Sequence, residues 1–213
     1  MVSADQIFIR VTGRGGHASA PHSALDPIPV ACEIAIAIQT MLTRSVDAFD
    51  PAVVTIAKIT AGTTTNVIPE VAEIAGTIRA VSERTRMLVC DNLKRLAEGI
   101  ASAHGATATV EIEAGYPVTI NDTGFAATVS RVAASVSGEA MVRQMSSPVM
   151  GAEDFSYVLQ RVPGAMAFLG ATPAGADPRT APPNHSNRVI FDEGAMTTGI
   201  ALYTAMALDH LSG

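Results

Sequence analysis

A chain of 213 residues is long enough to bury a real core, and two pieces are expected rather than one large domain. Lys and Arg number 14 against 20 Asp and Glu, a net charge of −6 with the basic residues scattered, which argues against a nucleic-acid partner. Mean hydropathy is high at +0.30, yet the most apolar run, residues 30–38, is broken by Glu33 and too short to span a bilayer, so the excess points to surface covered by another polypeptide.

The opening Met-Val-Ser-Ala-Asp-Gln has neither a basic n-region nor an apolar h-region, and no secretory signal is read there. Residues 6–12 alternate, with Ile7, Ile9 and Val11 on one face, as a half-buried strand does. A loop follows, Gly13-Arg14-Gly15-Gly16-His17-Ala18-Ser19-Ala20-Pro21, without the spacing of a phosphate loop. Residues 28–43 carry Ala31, Ile34, Ala35, Ile38 and Leu42 at helical spacing behind Asp26-Pro27, a cap followed by a first-turn proline. Residues 53–60 form a β-branched strand, 62–66 a turn, and 71–81 a strand with Ile74 and Ile78 on one face. Arg79 projects from the opposite face, away from the helical layer. A second helix over 84–104 buries Leu93, Leu96, Ala97 and Ile100 and is closed by Gly105; residues 107–113 then alternate again, burying Ala108, Val110 and Ile112.

This β-α-β-β-α-β order predicts a ferredoxin-like sandwich over residues 5–115, one antiparallel sheet with two helices on one face. After Tyr116-Pro117 the pattern changes. A helix at 123–136, a short strand at 141–145, a helix at 153–160 and a strand at 165–170 precede a long Pro/Gly/Ala loop. A last helix over 193–211 is expected to bury Met196, Ile200, Tyr203, Ala207 and Leu208. Two short strands do not close a sheet, so residues 116–213 read as part of an α/β domain whose other strands lie elsewhere. Cys32 and Cys90, on helices and without CxxC spacing, read as buried reduced thiols and favour the cytoplasm.

His185, on the rigid loop Pro182-Pro183-Asn184-His185-Ser186-Asn187, is either a metal ligand or a surface histidine. His17 is either a donor to a developing oxyanion or an ordinary loop residue. His22 and His210 receive no role, and His104 ends a helix where an imidazolium suits the dipole. Glu153 and Asp154 read as acid, base or ligand, or as an acidic pair in a first helical turn, where neighbours point about 100° apart and cannot share one target. Arg79 could clamp a carboxylate or pair across strands with Glu73.

Four stretches in one order carry a resemblance: those around His17 and His185, with Thr65-Asn66-Val67-Ile68-Pro69-Glu70 and Met150-Gly151-Ala152-Glu153-Asp154-Phe155-Ser156 between them. From about residue 4 to 211 the chain resembles the co-catalytic zinc amidohydrolases of the aminoacylase and carboxypeptidase type, nearest to the hippurate hydrolase or N-acyl amino acid amidohydrolase branch. The resemblance implies a ferredoxin-like lid and dimerisation domain followed by the C-terminal part of an α/β zinc-hydrolase catalytic domain. It makes His185 the last metal ligand, and His17 and Asn66 lid residues that reach a partner subunit's scissile carbonyl and its oxyanion. Arg79 goes to the substrate carboxylate, and Gly151 and Glu153 to the wall of the substrate cleft.

It further implies two divalent metals per complete site, zinc first with manganese or cobalt as alternatives. The substrate would be an N-acyl amino acid or a small peptide-like molecule. A homodimer through the lid is implied, with no nucleic acid and no membrane. The family's His-x-Asp ligand pair, bridging ligand and general base precede the lid and have no counterpart here. The chain is therefore expected to be a C-terminal part, inactive alone and weak in binding zinc. The alternative is a non-catalytic small-molecule-binding or dimerisation module.

Overall fold

Strict alternation over Asp5–Thr12 makes strand β1: Ile7, Ile9 and Val11 are buried while Gln6, Phe8 and Arg10 face outward. The structure, a computed structural model, describes residues 1–212. In chain order there follow β2 (Gly16–His17), α1 (Pro27–Ser45), β3 (Ala52–Ala61), β4 (Val67–Ile68), β5 (Val71–Ala80), α2 (Glu83–Ala103), β6 (Thr107–Ala114), α3 (Thr123–Ser137), α4 (Phe155–Leu159) and α5 (Ala195–Ser212). This is a mixed α/β chain that divides into two units, each described in turn. One comprises Met1–Thr119 with Ser147–Val158, and the other Ile120–Ser146 with the described chain from Leu159 onward.

In the first unit β3, β5, β1 and β6 lie in that order in one sheet, every neighbour antiparallel. The helices start where their caps dictate. Asp26 accepts the Ile28 N–H at 2.9 Å with Pro27 in the first turn, and the Ser82 hydroxyl accepts the Thr85 N–H at 3.1 Å. The α2 helix runs out at His104, followed by Gly105 with φ 76°. His104 Nε2 lies 2.7 Å from Glu33 on α1, so its partner is a carboxylate.

Both helices pack on the face carrying Ile7, Ile9, Ile74 and Ile78, and bury Ile34, Ile38 and Leu93 against it. Each such side chain contributes about 1.5–3 kcal/mol on leaving water. Ala108, Val110 and Ile112 face this core but are only half-buried, because β6 is an edge strand. Leu96 and Ile100 likewise sit at its rim. The other edge is β3, whose register slips between Ile56 and Lys58, a bulge that leaves Ala57 without a partner. Cys90 is half-buried and Cys32 is exposed, which corrects the expectation of two buried thiols: position 32 falls on the outer side of α1.

The chain enters and leaves the sheet along one seam. Ala4 N–H donates to Tyr116 O at 2.9 Å, and Asp5 accepts the Gly115 N–H at 3.1 Å. Arg86 on α2 grips Asp5 through Nη2 and Nε, while Glu83 accepts from Arg86 and from the Val118 N–H at 3.0 Å.

In the second unit α3 begins at Asp122, which caps the Phe125 N–H at 2.9 Å, and ends at Gly138 with φ 88°. It packs against α5, with Arg131 bonded to Asp209 at 2.7 Å. Val132 is the one buried hydrophobic residue among the described residues of this unit.

The strands expected at 141–145 and 165–170 do not form. Residues 139–141 are a 3-10 turn, and Met166 is held by the Asn121 side-chain amide (2.9 and 3.0 Å) where a strand would need a sheet partner. The α5 stripe is also corrected. Met196, Ile200, Tyr203, Ala207 and Leu208 are exposed, because Ala201, Leu202, Ala205 and Met206 form the half-buried side of a helix that is apolar nearly all round. No helix among the described residues is long and apolar enough to cross a membrane.

Candidate functional site

The Gly-rich loop exists to let two backbones touch. A Cβ at Gly13 would lie 2.0 Å from the Leu25 carbonyl oxygen, and one at Gly15 would lie 2.9 Å from that of Ile68. The close approach extends the β1–β5 ladder past the sheet. Gly13 N–H donates to Glu70 O at 2.8 Å, Gly16 and His17 pair with Ile68 and Val67, and Ala18 N–H donates to Asn66 O at 3.0 Å. His17 and Asn66 are therefore brought together at the far end of one antiparallel ladder.

Both side chains are exposed, and both are oriented by a hydroxyl residue two positions away. His17 Nδ1 accepts the Ser19 backbone N–H at 3.1 Å and lies 2.7 Å from Ser19 Oγ. Thr64 Oγ1 donates to Asn66 Oδ1 at 2.9 Å, so the Asn66 Nδ2 hydrogens are turned outward. Neither Ser19 nor Thr64 was singled out from sequence. The signal was a polar residue two positions from a functional one, the spacing of side-chain turns.

Arg79 lies at the other end of β5, eight residue steps from Val71 or roughly 26 Å along an extended strand. Its guanidinium donates to Met150 O at 3.4 Å, and Gly151 O accepts the Val2 N–H at 3.1 Å. Arg79 and the Gly151 segment thus form a second cluster, away from His17 and Asn66. Of the two alternatives for Arg79, the pairing with Glu73 is not made: both residues lie on β5, six positions apart and roughly 20 Å along the strand, and Glu73 bonds Arg10 across the strands at 2.5 Å. The Glu153 carbonyl accepts from Ser156 N and Oγ (3.2 and 2.5 Å). Here the expectation of a helix from 153 is corrected: α4 starts at Phe155, so Glu153 and Asp154 precede it instead of forming its first turn.

His185 belongs to the second unit and is exposed in a turn closed by Ser186 N–H to Pro183 O at 3.1 Å. Its φ of 70° is the one positive value at a non-glycine residue among those described. A type II turn gives that position to Gly or Asn, so the imidazole is presented at a cost in backbone strain. Among the described residues no group of three or more His, Cys, Asp or Glu side chains could hold a metal ion, so His185 stands here as a single imidazole. A trough of about 480 Å³ on the open sheet face of the first unit, beside Phe8, Lys58 and Glu111, contains none of the candidate residues.

The family model for Peptidase family M20/M25/M40 matches residues 4–209. The chain is 37% identical over 209 residues to thermostable carboxypeptidase 2 of Saccharolobus solfataricus, covering 98% of this chain and 52% of that protein. It is 32% identical to the hippurate hydrolase of Campylobacter jejuni, covering 99% and 53%. A dinuclear metal binding peptidase of the M20 family from Bacillus subtilis superposes with a TM-score of 0.79 at 29% identity, covering all of this chain and 51% of that one. The chain spans about half the length of the curated relatives it matches.

Proposed function

The chain belongs to Peptidase family M20/M25/M40, and from that premise we propose that it is the lid-bearing part of a metal-dependent hydrolase that cleaves the amide bond of N-acyl amino acids or small peptide-like substrates. The observation that carries this reading is the pairing of His17 and Asn66 at the tip of one ladder, each with its acceptor atom occupied from within the chain. Two such donors can hold a carbonyl oxygen as it gains negative charge, and one donor of that kind is worth about 100- to 1,000-fold in rate. Arg79 would hold the substrate carboxylate through its fork, beside a cleft wall that includes Gly151 and Glu153.

On this reading residues 5–115 are a ferredoxin-like lid and dimerisation domain, which the strand order β3-β5-β1-β6 supports. Residues 116–213 are the C-terminal part of the catalytic domain. The separation of Arg79 from His17 along β5 argues for a homodimer, in which the two donors of one copy serve the substrate held by the other. The exposed edge strand β3 offers a surface for that contact. His185 is assigned as one ligand of a site for two divalent metals, zinc, manganese or cobalt, whose other ligands come from outside this chain. Two unpaired cysteines support a cytoplasmic location.

The test is a fusion that joins, ahead of Met1, the portion of the hippurate hydrolase lying outside its match to this chain. The fusion is expected to release glycine from hippurate and to hold two metals per chain by plasma emission analysis. The chain alone is expected to do neither. A folded, metal-loaded fusion inert toward a panel of N-acyl amino acids overturns the reading. The lack of a metal-holding cluster among the described residues favours a second reading, a non-catalytic binding or dimerisation module. Turnover by the fusion decides against it.

A further inference from the structure

We propose that Ser19 is a positioning residue that locks His17 in the Nε2–H tautomer, making this imidazole a hydrogen-bond donor and not an acceptor. The starting point is a directional fact. A backbone N–H can only donate, so the ring nitrogen that takes the Ser19 N–H at 3.1 Å must carry a lone pair. A neutral imidazole has one N–H, which is then on Nε2. The Ser19 hydroxyl, 2.7 Å from the same Nδ1, adds a second donor to that lone pair. Two contacts from one residue fix the ring's rotation as well as its proton.

The local backbone holds this arrangement in place. His17 O accepts the Ala20 N–H at 2.9 Å, closing a four-residue turn with Ser19 at its third position, while Ala18 N–H is engaged by Asn66 O. Ser19 is thereby presented to the ring in the way that residue i+2 meets an Asx side chain, with histidine as the acceptor. Nε2 has no partner within the chain among the described residues. The chemical class it would take is an oxygen with available lone pairs, a carbonyl or an oxyanion. The opposite tautomer would set a lone pair against that oxygen and repel it. This consequence rests on the amide-hydrolase reading, whereas the tautomer itself rests on geometry alone.

The experiment is long-range ¹H–¹⁵N correlation of the imidazoles in the ¹⁵N-labelled chain at mildly alkaline pH, which distinguishes a bare ring nitrogen from a protonated one. His22, exposed and with no hydrogen bond from its ring among the described residues, supplies the tautomer mixture of a solvated histidine in the same spectrum. The expected result is a His17 Nδ1 shift at the bare extreme and Nε2 at the protonated extreme, beyond the His22 averages. Ser19→Ala, which keeps the backbone N–H, is expected to move both shifts part of the way toward the His22 values. A wild-type His17 that coincides with His22, or that carries its proton on Nδ1, overturns the proposal. So does Ser19→Ala with unchanged ring shifts, since the hydroxyl would then have no part in the lock. Because no turnover is read, failure here is separable from failure of the hydrolase reading, which the fusion decides.

Discussion

Arg86 and Asp5 meet through two parallel bonds, Nη2 to Oδ1 at 2.5 Å and Nε to Oδ2 at 2.8 Å, and only 1% of the Asp5 side chain is exposed. The bonds from Asp5 push the Arg86 guanidinium further above its already high range. Removing Arg86 leaves the Asp5 carboxylate buried with the Gly115 N–H as its remaining bond and no opposite charge, which costs about 3–5 kcal/mol. Arg86→Met is therefore expected to lose about that much in urea denaturation. The double variant Asp5→Leu/Arg86→Met is expected to recover most of it. A loss under 1 kcal/mol for the single variant, within the range of an exposed pair, would contradict the account.

Asp50 is held below its ordinary value of 3.8 by bonds from the Thr85 hydroxyl, the Arg84 guanidinium and the Ser82 hydroxyl at the start of α2. The folded form therefore binds this proton less readily than the unfolded chain does. The stabilisation is complete above pH 3.8 and is lost as pH falls through the folded value. Wild-type stability is expected to drop more steeply below about pH 4 than that of Asp50→Asn. Parallel curves for the two proteins in acid titrations of the melting temperature would contradict this.

His185 reverses the usual ranking of small residues. At φ 70° a side chain with a Cβ is strained by about 1–2 kcal/mol, which glycine escapes. We expect His185→Gly to be more stable than His185→Ala by about 1 kcal/mol in chemical denaturation. Both are expected to lower metal content in the fusion. An alanine variant as stable as the glycine variant would mean that the turn relaxes.

If each complete site takes its donors from one copy and its arginine from the other, damaged copies should rescue each other. Fusions carrying His17→Ala and Arg79→Ala are each expected to be nearly inactive. A dissociated and reassociated mixture is expected to regain about a quarter of the wild-type rate, since half the dimers are mixed and each has one intact site. No recovery, with mixed dimers present by native mass spectrometry, would put both residues in the same copy's site.

The first unit was legible because each of its elements is amphipathic against a partner within the chain. Ile7, Ile9 and Val11, or Ile34 and Ile38, repeat at the period of the element they belong to and are buried where that period puts them. The second unit was not. Residues 165–170 have strand-like composition, but a strand is defined by its neighbour, and Met166 finds only the Asn121 amide. In α5, apolar residues on every side give the period nothing to select, and Tyr203, expected inward, is 82% exposed. At the site, the types His17, Asn66, Arg79 and His185 were readable from local motifs. The division of His17 and Asn66 from Arg79 between the two ends of β5 depends on the antiparallel register, which sequence alone does not carry.

His17 and Asn66 share a single cantilever, the overhang of the β1–β5 ladder beyond the body of the sheet. Bending of that beam carries both tips the same way, because the bond from Ala18 to Asn66 ties one to the other. The backbone spacing of the pair is thus set within the overhang, whereas their joint location is set by where the overhang points.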